Sequence, residues 1–388
     1  MKKALIALAF GTFGLGINEF VMMGILPNVA HDFGISIPSA GHFISAYALG
    51  VCIGAPIIAL FFRSWPLKRL LYLLMGIFVI AGLGMSLCPT KHSWLMIICR
   101  MMAGLPHGAY FGVGSIVASR LAPQGRHTFA VAIMCSGMTV ANLIGIPFGT
   151  FLSSLFSWRL VFGLSALWGV FTLVGITRWV PTMEALPRTN VKEQFRFLSS
   201  PAPWLIIACT LFGNGGVFCY YSYVSPLLTQ ISGVPTNLMS LIMILAGAGM
   251  VTGNLFGGHL SDHIGPGHTG KWLEYAIGAT LLLIFAFSSY TWVAILLMFI
   301  ATFCLFGVSS PQQLLLLKFS KGGELMGGAM VQLAFNLGNA IGAYAGGIPP
   351  NLGKPYNYCA LVGCGFALIG IICYEIFCHK YEMGKAHR

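Results

Sequence analysis

Charge is nearly missing from this sequence. Only 8% of its 388 residues are Asp, Glu, Lys or Arg, and nine of them are acidic. A soluble domain carries about 25% charged residues, so a water-facing surface cannot be assembled from this inventory. Long polar segments are missing as well, which leaves no room for a separate signalling domain. The eleven cysteines show neither paired metal spacing nor a loop framework, and read as small apolar helix residues. No metal or cofactor is expected. Phosphate loops, an ATP cassette and a catalytic triad signature are also lacking, so an enzyme is not expected.

What the chain has instead is apolar sequence in long runs. Hydrophobic residues make up 57%, with 49 Gly and 19 Pro among the rest. The runs are continuous rather than ten-residue alternating segments, which selects helices over a β-barrel. At roughly 20 residues per crossing, twelve spans are predicted: 4–27, 38–61, 70–88, 93–119, 129–152, 160–180, 203–229, 236–260, 272–289, 291–317, 323–348 and 356–378. Two charge-free stretches are too long for one crossing. They break at Gln230-Ile-Ser-Gly-Val-Pro-Thr-Asn237 and at Ser288-Ser289-Tyr290-Thr291. Met1-Lys2-Lys3 before an apolar run could mimic a secretory signal. Glu19 inside the run, and the want of a small-residue cleavage site, mark a retained first helix.

Lys and Arg set the expected orientation. With the N-terminus inside, seventeen fall on cytoplasmic loops and tails, and only Lys91, Arg159 and Lys354 outside, with Arg100 buried in a span. Both termini are then cytoplasmic. Topology accounts for the net charge of +12, and no nucleic-acid partner is needed. The lipid bilayer is the surrounding partner, and a monomer is expected.

The longest polar segment, 182–202, divides the chain into a six-span half over 1–181 and another over 203–388. Lys192-Glu-Gln-Phe-Arg-Phe-Leu198 within it could form a short amphipathic surface helix. The halves match at a constant offset of 199 residues. Gly16 pairs with Gly215, Pro27 with Pro226, Gly34 with Gly233, Gly50 with Gly249 and Gly54 with Gly253.

Glu19 and Arg100 each sit alone in the middle of a span, and every other charge is read as lying near the end of a hydrophobic stretch. Translocon scales put an ionised side chain at mid-bilayer at roughly +2.5 to +3.5 kcal/mol, so such residues are functional candidates by default. Glu19 lies eight residues before Pro27 on an outward-going helix, and Arg100 seven after Ser93 on an inward-going one. At about 1.5 Å per residue the two can share a depth, meeting directly or through a water. A static buried ion pair is the bland alternative.

Uncharged polar groups inside the spans supply candidate ligand contacts: Asn18, His42, Tyr47, His107, Asn142, Tyr220, Gln332, Asn336 and Asn339. Amides and aromatic faces suit a neutral hydroxylated solute, although such residues also join helices to one another.

Three local patterns carry a resemblance. Gly258-His-Leu-Ser-Asp262-His-Ile-Gly265, read as the loop after span 8, resembles the GxxxDxxG element of the major facilitator superfamily. Its first-half counterpart has Ala59 and Arg63 instead of Gly and Asp. Span 4, Arg100-Met-Met-Ala-Gly104-Leu-Pro-His107-Gly108, resembles that superfamily's helix 4. Span 5, Gly137-Met-Thr-Val-Ala-Asn142-Leu-Ile-Gly145-Ile-Pro147-Phe-Gly149, resembles the antiporter motif of its exporters; a plain proline kink is the alternative. Blocks along the whole chain, among them Gly54-Ala-Pro-Ile-Ile-Ala-Leu-Phe61 and Lys321-Gly-Gly-Glu-Leu325, resemble arabinose-inducible exporters of the drug:proton antiporter branch.

The resemblance implies an all-α membrane protein of twelve helices in two pseudo-symmetric halves. It implies export of a small neutral solute, arabinose or a related sugar, against entering protons. Glu19 and Arg100 would couple the proton. Gly258, Asp262 and Gly265, with Gly145, Pro147 and Gly149, would serve gating and packing. A multidrug exporter of the same branch is the nearer alternative, and a non-transporting membrane sensor the more distant one.

Overall fold

A computed structural model describes residues 2–35, 37–40, 42–62, 64–186, 191–235 and 238–382. Arg63 and the linker's Arg188 lie outside the described residues. The helices, in chain order, are α1 (Lys2–Phe33), α2 (His42–Phe61), α3 (Leu67–Ser86) and α4 (Ser93–Leu121). Next comes α5, which runs from His127–Val140 through a π-helical turn, Ala141–Gly145, into Ile146–Leu155. Then follow α6 (Trp158–Trp179), α7 (Pro201–Gln230), α8 (Met239–Ile264) and α9 (Pro266–Phe287). The chain closes with α10 (Thr291–Phe319), α11 (Glu324–Asn351) and α12 (Tyr358–Phe377). No strand occurs among the described residues.

Among the described residues, nine of these helices are long and apolar enough to cross a membrane by length and composition. Of the other three, α4 and α11 carry Arg100, His107, Gln332, Asn336 and Asn339. Bulky apolar side chains such as Ile80, Phe171, Leu296 and Ile372 remain exposed on helix flanks, as lipid contact requires.

The breaks near 230–237 and 288–291 fall where expected, between α7 and α8 and between α9 and α10. Three expectations change. The linker forms two separate turns, Val191–Gln194 and Arg196–Ser199, rather than one surface helix. The GxxxDxxG residues Gly258 to Ile264 belong to the last turns of α8, and only Gly265 turns the chain. Helix α9 starts at Pro266, not near 272, because helix hydrogen bonding continues through His268 and Lys271, which a hydropathy run rejects. Glu274 is therefore about 12 Å into a helix at 1.5 Å per residue, and fully buried. It is a third interior charge-bearing residue, beyond the two expected.

Contacts divide the chain into two units. The first holds the chain up to Pro123, Ile133–Arg196 and Lys321–Gln332. Its core packs Val21, Ile25, Phe43, Tyr47, Met85 and Trp158 together. The second holds Gln124–Ala132, Phe197–Ser320 and the chain from Leu333, around Phe218, Leu227, Ile277, Leu281, Met298 and Phe335.

The 199-residue repeat is visible within each unit. A Cβ at Gly54 would lie 2.0 Å from the Leu105 carbonyl oxygen of α4, and one at Gly253 would lie 1.9 Å from that of Phe303 in α10. Helices α2 and α4, like α8 and α10, thus pack backbone to backbone, an approach only small residues permit. Gly34 and Gly233 close the first helix of each half with φ of 64° and 70°, a left-handed conformation that a side chain would strain.

Candidate functional site

Helices α1, α2 and α4 of the first unit bring the mid-span polar residues together. Arg100 is fully buried. Its Nε donates to the Phe43 carbonyl at 2.9 Å, and Nη1 donates to the Asn18 carbonyl at 2.5 Å. Its guanidinium lies 4.6 Å from the centre of the Tyr47 ring, a cation–π contact. The Tyr47 hydroxyl is 2.9 Å from His107 Nδ1 and 3.3 Å from the Leu15 carbonyl. His107 stacks on Phe111 with ring centres 5.2 Å apart, and its Nε2 faces Glu19 Oε2 at 3.8 Å.

The order in space is therefore Arg100, Tyr47, His107, Glu19. Among the described residues Arg100 forms no ion pair. Its charge reaches α1 at the carbonyl of Asn18, the residue before Glu19. The two mid-span charges share a depth but do not touch, and the imidazole of His107 faces the acid instead.

Local sequence explains the geometry. Gly104 lets α4 approach the Tyr47 carbonyl so closely that a Cβ would lie 2.1 Å from it. This brings the Arg100–His107 face of α4 against α2. Pro106 occupies the turn before His107 without interrupting the helix. Glu19 is 6% exposed, and its Oε2 has no hydrogen-bond partner. An isolated carboxylate in such a place is costly to bury.

Gln332, near the middle of α11, lies beside the His107 ring. Asn18 completes the cluster, its amide 3.4 Å from Ser165 Oγ. Asn142 lies half-buried on the π-helical turn of α5. His42 is exposed, with Nδ1 2.8 Å from the Ser39 carbonyl. Tyr220 is fully buried on α7, while Asn336 and Asn339 are half-buried on α11; all three belong to the second unit. The sequence presents His107 as one polar lining residue among several. Its spacing of seven from Arg100 puts both on one face of α4, and that spacing is the signal that links the two.

Glycines of α5 fit it to α1. A Cβ at Gly145 would lie 2.7 Å from Ile17, and one at Gly149 would lie 2.5 Å from Val21. Pro147 lacks an N–H and cannot complete the helical ladder. The π-helical turn just ahead of it widens the helix where that bond is missing.

The GxxxDxxG residues have separate tasks in the second unit. Asp262 Oδ1 and Oδ2 each accept a hydrogen bond at 2.9 Å, from the main-chain N–H groups of Thr128 and Phe129 in the first turn of α5. An anion there satisfies two unpaired donors and the positive end of the helix dipole. A Cβ at Gly258 would lie 2.5 Å from that of Ala132, so the missing side chain admits α5. Gly265 turns the chain between α8 and α9 with φ of 90°. Glu382 caps α9 in the same manner, accepting from the N–H groups of Gly267 and His268 at 3.0 Å each.

Comparison with known proteins agrees with this architecture. The family model of the Major Facilitator Superfamily matches residues 8–343. The chain is 49% identical to the transporter AraJ of Escherichia coli (strain K12) over 362 residues, 93% of this chain and 91% of that one. It is 23% identical over 383 residues to a Helicobacter pylori protein that carries the name of a sugar efflux transporter, 96% of this chain and 95% of that one. The proton:xylose symporter XylE superposes with a TM-score of 0.75 at 15% identity, covering 98% of this chain and 95% of that one; that likeness concerns the fold. With the family model spanning most of the sequence and a relative near half identity over nine-tenths of it, the chain is a transporter-type membrane protein of twelve helices and belongs to the Major Facilitator Superfamily.

Proposed function

We propose that the protein exports a small neutral solute, arabinose or a related sugar, in exchange for entering protons. The observation that carries the reading is the buried Glu19 carboxyl facing His107, with Arg100 of α4 bound to the carbonyl of the preceding residue, Asn18. A neutral Glu19 turns its O–H toward an unprotonated His107 Nε2 as a hydrogen-bond donor. The ring then carries its hydrogen on Nδ1 and donates a hydrogen bond to the Tyr47 hydroxyl, which in turn donates one to the Leu15 carbonyl. An ionised Glu19 favours the other tautomer, with Nε2–H toward the acid and the Tyr47 hydroxyl donating to Nδ1. Loading and releasing the proton thus changes hydrogen bonds between α1, α2 and α4, so that alternating access is coupled to protonation.

Gln332 and Asn18, beside this relay, provide amide donors and acceptors for hydroxyl groups. Asn142 and His42 in the first unit, and Asn336, Asn339 and Tyr220 in the second, are further solute-contact candidates. The two halves of the chain, joined by the polar segment 182–202, exchange access, with both termini on the cytoplasmic side of an inner membrane. The name of the Helicobacter pylori relative supports outward sugar movement.

Counterflow into proteoliposomes, run with pentoses, hexoses, glycosides and cationic dyes, tests the substrate class. Uptake of a labelled pentose or related sugar, driven by the same unlabelled sugar inside and changed by an imposed pH gradient, is the expected result. Dye exchange without sugar exchange would overturn the sugar assignment, and indifference to the pH gradient would overturn the antiport.

A further inference from the structure

Glu274 has no part in the relay described above. It lies in the second unit, on α9, with 0% of its surface exposed and neither carboxyl oxygen hydrogen-bonded. Its place is made by glycines. A Cβ at Gly213 would lie 2.3 Å from Oε2, and one at Gly370 would lie 2.9 Å from Oε1. The titratable groups facing it are Cys209 on α7, Cys304 on α10, and Cys373 and Tyr374 on α12; none is a cation. Lys271, one turn earlier on α9, is paired with Glu375 at 3.5 Å. The Tyr374 side chain neighbours Gln312, which in turn accepts from Asn214 Nδ2 at 3.2 Å.

Packing does not require an acid here. At the 199-residue offset the first-half counterpart of Glu274 is Met75, which is equally buried. A thioether fills the equivalent position without polar atoms to satisfy, whereas an unpaired carboxylate in a dry helix bundle is among the costliest groups to bury. The neutral acid avoids most of that cost. Seven of the nearby positions are polar or glycine: Cys209, Gly213, Asn214, Gln312, Gly370, Cys373 and Tyr374. Cys209 to Asn214 also form a π-helical turn of α7, a local irregularity common at functional sites.

We propose that Glu274 is a second proton-binding site, held in the second unit as a neutral carboxylic acid and exchanging its proton with water when α7, α9 and α12 part around it. On opening, the acid transfers its proton to water, leaving carboxylate and hydronium; on closing, the reverse transfer restores the neutral form. Proton binding at Glu274 is independent of Glu19, and only its use in transport rests on the antiport reading above. The two halves then each hold a buried, proton-exchanging acid, Glu19 on α1 and Glu274 on α9.

Infrared spectroscopy of the whole protein in liposomes tests this through the carboxylic acid carbonyl stretch. Wild-type protein is expected to show two such components, both lost in alkaline buffer and both shifted in D2O. Glu274→Gln should remove one, and Glu19→Gln the other. Glu274→Met, which copies the first-half residue, should remove the same component as Glu274→Gln and keeps the test open if the amide folds poorly. Two outcomes overturn the proposal: both Glu274 variants retaining every wild-type component, or a Glu274 component that neither shifts in D2O nor fades in alkali. A spectrum lacking only the Glu19 component contradicts the relay and leaves Glu274 standing.

Discussion

His107 Nε2 faces Glu19 Oε2 across 3.8 Å, while the other ring nitrogen is 2.9 Å from the Tyr47 hydroxyl. The gap to the acid is longer than a hydrogen bond, and a modest shift of either helix closes or widens it. On the proposed mechanism, the packing of α4 against α1 responds to a proton on Glu19.

Substituting Glu19→Gln keeps the shape and removes the exchangeable proton. Solute movement driven by a pH gradient is expected to vanish, while solute exchange at equal pH and protein expression persist. Transport assays in proteoliposomes at several internal pH values check this. Retention of wild-type pH dependence would show that another group couples the proton.

Position 107 tests the relay itself. His107→Gln preserves one donor and one acceptor but cannot pass a proton, and the pH-driven rate should fall by roughly a hundredfold, the lower range for losing a general acid–base group. His107→Phe, which keeps the stack on Phe111, should be no more active than His107→Gln. Comparable pH-driven rates in all three proteins would leave the histidine a packing residue.

Arg100 has a structural as well as an electrostatic part, since it holds the carbonyls of Phe43 and Asn18. Arg100→Ala removes two charge-assisted hydrogen bonds, each worth about 1.5–3 kcal/mol, and thermal unfolding in detergent should shift clearly downward. Lys should recover part of the stability and less of the transport, because an ammonium lacks the planar fork of donors. An unchanged unfolding midpoint for the Ala variant would contradict these bonds.

The cap from Asp262 can be measured at its own amides. An anion at a helix N-terminus is worth about 0.3–2 kcal/mol. Asp262→Asn should therefore speed hydrogen exchange at Thr128 and Phe129, by up to about 30-fold at the upper limit. Amides in the middle of α8 serve as the internal control. Unchanged exchange at those two positions would mean that α5 is held by other contacts.

Acid should act at Asp32, beyond the apolar run of α1. The indole N–H of Trp158 at 2.8 Å, followed by Arg159 at 3.1 Å, holds its carboxyl below the usual carboxylate range. A depressed value means that the stabilisation is present above the unfolded value, about 3.9, and is lost as pH falls through the folded one. Wild-type protein should therefore unfold at a higher temperature than Asp32→Asn near neutrality, with the difference closing in strong acid. A gap that persists undiminished in acid would remove Asp32 as its source.

Much of this was legible in the residues. Twelve apolar runs, the Lys and Arg asymmetry and the 199-residue offset reflect constraints imposed by lipid, which punishes exposed backbone and charge wherever a helix crosses. The polar exceptions stood out for the same reason, so Glu19, Arg100 and Asp262 were visible as candidates before any packing was known. Glycines at 50, 54, 249 and 253 likewise marked the repeat in the sequence, and the fold shows what they do, which is to admit a neighbouring helix.

Tertiary structure decided who faces whom. Arg100 reaches the carbonyl of Asn18 rather than the carboxylate of Glu19, and His107 fills the place opposite the acid. Depth can be counted along a helix at a fixed rise per residue, but the direction a side chain takes around the axis depends on which neighbour packs there and how closely. Glu274 went unrecognised because hydropathy placed it at the end of a run, whereas hydrogen bonding extended α9 back to Pro266 and packing enclosed it. Sequence determined the class, the number of crossings and the short inventory of costly groups. Only the packing of helices against one another decided which of those groups meet, because contact depends on azimuth and approach distance, and a linear pattern encodes neither.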